Sequence, residues 1–151
     1  MDLQQDISLG WKMNAVNIYI ATSINGVGKK KGKYIYLIET NTSKGLATVH
    51  DVKEIEATKE VAELTALVAA VSRLKSVPLD LNIYLTSSQL QFNIVRLLPG
   101  WSKRNFCKSD GRRLANYEMW KALYEKISIF NYGVNLNTHS YTKWLLKELA
   151  Q

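Results

Sequence analysis

Between residues 16 and 21 apolar and polar positions alternate, with Val16, Ile18 and Ile20 on one side and Asn17, Tyr19 and Ala21 on the other, a period of two that predicts a β-strand. After an Asn25-Gly26 turn and a basic loop, the run KYIYLIET is dense in aromatic and β-branched residues. Its short distance from the first strand predicts an antiparallel hairpin. The turn NTSKG leads into LATVHDV, a third strand with Leu46, Thr48 and His50 on one side and Ala47 and Val49 on the other, which completes a meander.

From Ala57 the period lengthens to that of a helix. Val61, Leu64, Leu67, Val68, Val71 and Leu74 form one apolar stripe, and Glu54, Lys59 and Glu60 fall elsewhere. The stripe predicts a helix of about 18 residues that ends near Ser76, because Pro78 disfavours helical backbone in the residue before it. LNIYLTS then returns to strand composition, and SQLQFNIVRLL reads as a short helix stopped by Pro99-Gly100. Tyr117, Trp120, Leu123, Tyr124 and Ile127 mark another amphipathic helix, GVNLNTH a last strand, and Tyr141 to Ala150 a closing helix. Three strands, a helix, a strand, helices, a strand and a helix imply an α/β domain. Its mixed sheet has an antiparallel edge, and right-handed crossovers lead to the later strands. No internal repeat or linker interrupts residues 1–151, so one domain is expected, with residues 1–13 as a flexible lead-in.

Composition narrows the class. At 151 residues with 46% hydrophobic and 22% charged side chains, the chain has enough apolar surface for a packed core and is neither disordered nor a disulfide scaffold. A lone cysteine, Cys107, and the polar start MDLQQD predict a reducing, cytoplasmic setting. No apolar stretch reaches the roughly 18 to 20 residues of a membrane span. The formal charge of +7, with a pI near 9.5, makes polyanions plausible partners. The cations also cluster. One set is KKKGK, containing Lys29, Lys30 and Lys31, and the other holds Lys103, Arg104, Lys108, Arg112 and Arg113 around a single Asp110.

Several local sequences, in order along nearly the whole chain, resemble ribonuclease H type 1, which cuts the RNA strand of RNA–DNA hybrids. VNIYIATS resembles that family's opening strand, and VAELTALVAAVSRL the helix that carries its glutamate. LTSSQ, GWSKRN, NYEMW and KELA resemble its fourth-strand end, basic protrusion, following helix and last helix. The resemblance implies a ribonuclease H-like fold, a five-stranded mixed sheet of three antiparallel then two parallel strands flanked by helices.

It also implies a chemistry of two divalent metals, Mg²⁺ or Mn²⁺, held by four carboxylates. Carried over position by position, those carboxylates become Ala21, Glu63, Ser87 and Lys147. Hard cations require oxygen ligands, mostly anionic. Ala21 offers none, Ser87 only a neutral hydroxyl, and Lys147 a positive charge that could pair with Glu63 in the vacated site. No metal or other cofactor is therefore expected unless the chain is an active nuclease with an altered site. Glu63 itself reads as a solvated or ion-paired carboxylate on the polar margin of its helix.

The segment from Trp101 to Asn116 corresponds to the protrusion that grips the DNA strand of a hybrid. Lys103, Arg104, Lys108, Arg112 and Arg113 are expected on phosphates, and Trp101 along a sugar or base. Ser23, Asn25 and Asn116 are candidates for neutral hydrogen bonds to phosphate or 2′-hydroxyl groups. Trp120 and Trp144 read as core, and His139 as a candidate functional loop residue. The expected function is thus a catalytically inactive ribonuclease H-like domain, a pseudoenzyme, that binds an RNA–DNA hybrid or duplex through basic loops. The alternatives are a structural or protein-interaction domain within a larger assembly and an RNA–DNA hybrid nuclease with an altered metal site.

Overall fold

The computed structural model describes residues 15–151, so the expected flexible lead-in lies outside the described residues. Its elements are β1 (Ala15–Thr22), β2 (Lys30–Thr42), β3 (Gly45–Ala57), α1 (Lys59–Val71), β4 (Asp80–Tyr84), α2 (Ser88–Phe92), a π-helical turn (Asn93–Leu97), α3 (Leu98–Lys103), α4 (Tyr117–Ile127), β5 (Asn131–Asn135) and α5 (Thr142–Leu149). The five strands form one mixed sheet in the order β3-β2-β1-β4-β5, antiparallel from β3 to β1 and parallel from β1 to β5, which is the five-stranded sheet the resemblance implies.

Both faces of β1 are covered. Val16, Ile18 and Ile20 enter the main core with Leu64, Leu67, Ile83 and Leu123 from α1, β4 and α4. Tyr19 and Ala21 face a second cluster with Ile35, Leu37, Leu145 and Leu149, closed by α5. Buried branched side chains of this kind contribute about 1.5–3 kcal/mol each, so the sheet holds rigid whatever is mounted on its ends. Among the described residues no helix is long and apolar enough to cross a membrane.

Several boundaries differ from those expected, the last strand among them, since β5 covers Asn131–Asn135 and begins before GVNLNTH. The basic loop is mostly strand: β2 starts at Lys30, and Lys31 and Lys33 stand opposite Glu56 and Glu54 of a longer β3. Opposite charges across a ladder favour this extension. α1 is shorter than expected: it starts at Lys59, where β3 ends at Ala57 and the Thr58 hydroxyl caps the helix by accepting from the Val61 N–H at 3.2 Å, and it ends at Val71, before Leu74 and Ser76. Pro99-Gly100 does not stop the helix before it. The backbone widens into the π-helical turn, with the Leu98 N–H reaching back to the Asn93 carbonyl, and Pro99 enters the first turn of α3. There its missing N–H costs no helical hydrogen bond.

Candidate nucleic-acid interface and remnant site

The parallel strands β1 and β4 lie side by side, paired as far as Tyr19 and Tyr84, two residues before Ala21 and Thr86. In open α/β sheets the carboxyl ends of such strands are the usual place for a site. Here they bound a cavity of about 240 Å³ with Ala21 and Thr86 on one wall and Thr142, Leu145 and Leu146 of α5 on another. Asn137 and His139 also line it, and no carboxylate among the described residues does.

Glu63 reaches these strand ends from α1. It is not a solvated carboxylate on a helix margin, because it is 0% exposed. The stretch that turns from β4 into α2 folds over it. One carboxylate oxygen accepts from the Thr86 N–H at 3.1 Å and the Ser87 N–H at 3.0 Å, and the other accepts from the Thr86 hydroxyl. Burial pushes the Glu63 carboxyl above its ordinary value, opposed by the Thr86 and Ser87 donors and by the more distant Lys59 charge. Ser87 is buried as well, and its hydroxyl is committed to α2, accepting from the Leu90 N–H at 3.1 Å. A separate set lies one turn earlier on α1, where Glu60 accepts from Asn93 at 2.8 Å and Asn93 accepts from Gln89 at 2.9 Å.

Lys147 does not join this site. It is exposed on the last turn of α5, and among the described residues Glu63 has no ion pair with it or any other cation. The α5 residues that do line the cavity lie on the opposite side of that helix, where Leu145 and its neighbours meet the sheet. The expected pairing of Lys147 with Glu63 is therefore not found, and a different feature shapes the site. A pair of hard cations needs several anionic oxygens, yet Ala21 contributes no ligand atom, Ser87 is engaged as a cap, and both oxygens of Glu63 already accept hydrogen bonds. Among the described residues no group of three or more His, Cys, Asp or Glu side chains is placed to hold a metal ion. The donor set does not fit a dimetal centre.

His139 lines the strand-end cavity as well. Its ring packs on Tyr19 and Tyr84, with centroids 4.3 and 5.4 Å away, and its Nδ1 accepts from the Tyr141 N–H at 3.1 Å. Burial lowers the imidazole below its usual value, and the Glu39 carboxylate pulls the other way. Sequence reasoning passed over Glu39, whose oxygens gather Asn17 at 2.9 Å, the Tyr19 hydroxyl at 3.3 Å and the Tyr141 hydroxyl. The only signal was its place on the side of β2 facing Asn17 and Tyr19. These bonds pin the start of α5 to the sheet and push the Tyr141 phenol up to about 12. Tyr141→Phe is expected to cost about 1 kcal/mol and lower the melting temperature by about 3 °C, read by thermal unfolding at neutral pH.

The basic segment begins at the end of α3. Lys103 and Arg104 are exposed there, and Asn105 and Phe106 follow in left-handed backbone conformations, φ 53° and 59°. That reversal buries Phe106 beneath Tyr124 and throws the next residues outward. A tight hairpin results, in which Cys107 bridges Arg113, the Lys108 N–H donates to the Arg112 carbonyl at 2.6 Å, and Gly111 takes the positive φ the turn requires. Lys108, Arg112 and Arg113 crowd its tip.

The cations differ in freedom. Arg112 clasps Asp110 through Nε at 2.8 Å and Nη2 at 2.7 Å, and this contact holds the Asp110 carboxyl below its usual range. Arg113 lies over the Tyr117 ring, 4.3 Å from its centroid. Lys103, Arg104 and Lys108 are exposed with no acidic partner among the described residues. Lys29, Lys30 and Lys31 are exposed too, but Lys30 donates to the Asn25 carbonyl at 2.6 Å and Lys31 stands opposite Glu56. The Ser23 hydroxyl is occupied, accepting from the Lys33 N–H at 2.9 Å. Asn116 is exposed and its side chain makes no capping bond. Trp101 does not stand free for stacking; it is half-buried, edge-on to Trp120 at 5.1 Å, at the rim of the main core.

The family model for RNase H matches residues 13–137, stopping before α5. The ribonuclease H of Rickettsia bellii is 37% identical over 75 residues, 50% of this chain and 48% of that protein. The ribonuclease H of Agrobacterium fabrum is 31% identical over 70 residues, 46% and 47% of the two chains. The match thus spans about half the length of each relative. Among solved structures, LC9-RNase H1, described as a type 1 RNase H with the type 2 active-site motif, superposes with a TM-score of 0.72 at 14% identity, over 93% of this chain and 72% of that one. A foamy viral protease-reverse transcriptase in complex with RNA/DNA hybrid gives 0.63 at 17% identity, over 91% of this chain and 19% of that one.

Proposed function

Since the chain belongs to the ribonuclease H family, we propose that it binds nucleic acid, an RNA–DNA hybrid or duplex, through the Lys103–Arg113 protrusion without hydrolysing it. The observation that carries this reading is the contrast between the two ends of the site. The protrusion presents Lys103, Arg104, Lys108 and Arg113 to solvent, whereas the strand ends offer one carboxylate whose oxygens are already bonded to neutral donors. Phosphate binding needs only the first of these; in-line displacement assisted by two metals needs the second as well.

Lys29 and Asn116 are secondary contacts. Lys30, Lys31 and Arg112 contribute less, because each has a local partner or an opposing charge. A labelled hybrid followed by fluorescence anisotropy tests the proposal. Binding is expected to persist in EDTA, with Mg²⁺ weakening it only as a competing counterion does, and the RNA strand stays intact in Mg²⁺ or Mn²⁺. Cleavage that scales with protein and vanishes in Glu63→Gln would overturn the inactive reading.

A second reading, a domain that works inside a larger assembly, is favoured by one observation: the same fold occupies only 19% of the foamy viral protease-reverse transcriptase. Co-purification of a stable partner with no retention on hybrid-coated resin would favour it over the first.

A further inference from the structure

The two edges of the sheet are not alike. The β3 edge carries His50, Asp51, Lys53, Glu54 and Glu56, the charged residues that deter another strand from pairing. The β5 edge, NYGVN, carries no charge and no proline. Its pairing with β4 directs the backbone groups of Asn131, Gly133 and Asn135 inward. The Asn131 N–H donates to the Leu79 carbonyl at 3.0 Å and the Asn135 carbonyl accepts from the Leu85 N–H at 2.9 Å. Alternation then turns those of Tyr132 and Val134 outward. The Val134 carbonyl is met by the Gln91 side chain at 2.8 Å. The N–H and carbonyl of Tyr132 and the N–H of Val134 meet no protein group among the described residues.

The helical layer runs past this edge. Phe92 and Val95, a helical turn apart in α2 and the π-helical turn, are 51% and 47% exposed. They overhang a groove of about 670 Å³ whose floor is Tyr132, Gly133 and Val134. Tyr132 and Val134 pack against the main core on the side where Phe92 and Val95 stand. A strand laid along β5 would therefore meet unpaired peptide groups and place every second side chain under these two residues. On the other face, nothing lies within 4 Å of where a Cβ on Gly133 would be. Arg96 is the one charged group among the described residues that line the groove.

We propose that the β5 edge is a strand-addition site for an extended segment of another protein, apolar at alternate positions and acidic where it meets Arg96. A second copy is disfavoured, because it would bring a second Arg96 and a second charge of +7 to the same seam. This surface is separate from the protrusion, and the proposal does not depend on nucleic-acid binding.

The test uses the whole chain, ¹⁵N-labelled, with a blocked eight-residue valine–threonine peptide carrying one glutamate on its valine face and a matched peptide with lysine at that position. The glutamate peptide is expected to shift the Tyr132 and Val134 amides and slow their hydrogen exchange, with the lysine peptide at least about tenfold weaker. Phe92→Glu, at an exposed position that spares the core, should weaken binding by about tenfold or more and leave hybrid binding unchanged. Three results would each overturn the proposal: no response at those two amides, equal binding of both peptides, or a dimer of the unliganded chain that Phe92→Glu dissolves.

Discussion

Replacing Lys103, Arg104, Lys108 and Arg113 together with alanine is expected to weaken hybrid binding about a hundredfold at 50 mM salt, about 2.7 kcal/mol. The same change should flatten the salt dependence. Each phosphate contact adds roughly −0.9 to the slope of log affinity against log salt, so four contacts give about −3.6 and cost the unmodified chain about a hundredfold between 50 and 200 mM. The geometry says which cations count. Arg112 and Asp110 form a two-point contact of zero net charge at the hairpin tip. Removing both, Asp110→Ala with Arg112→Ala, should shift the slope by less than about half a unit. Anisotropy titrations at four salt concentrations separate the two outcomes. A four-alanine variant with the original slope would show that phosphates are held elsewhere.

How far the chain could be read in advance follows from what each signal encodes. The sheet was legible because its central strands β1 and β2 carry runs of Ile and Tyr buried on both faces, and the outer strands keep an alternating or β-branched pattern. Glu63 and Ser87 meet because core packing holds α1 against the end of β4. Lys147 does not join them, because a four-residue likeness in a short helix fixes no rotation about its axis, and the family match ends at residue 137, before that helix begins. The burial of Glu63 was hidden for another reason. Its partners are two backbone N–H groups and a threonine hydroxyl, 23 and 24 residues away, which leave no charged mark in the sequence. Composition shows where cations cluster, but not that Asp110 and Tyr117 restrain two of them.

The second large effect concerns Glu63 as a structural group. Glu63→Ala is expected to destabilise the chain by about 3 kcal/mol, since it strands the Thr86 and Ser87 N–H groups in a dry interior and leaves a cavity against α1. Glu63→Gln should behave oppositely at neutral pH. Its amide oxygen still accepts from the two N–H groups, the Thr86 hydroxyl rotates to accept from the amide nitrogen, and no charge is buried. The pH dependence separates this account from simple loss of a contact. Burial raises the Glu63 carboxyl in the folded chain above its unfolded value near 4.5, so the unfolded state releases its proton first. The stability tied to this group is then fully present below pH 4.5 and drains away as pH climbs through the raised folded value. Urea unfolding of the two chains should coincide in mild acid and part at neutral pH, with Glu63→Gln the more stable. If the unmodified chain instead gains on Glu63→Gln as pH rises, the carboxylate is paired with a cation after all, and a charge that attracts metal or Lys147 returns to the strand ends.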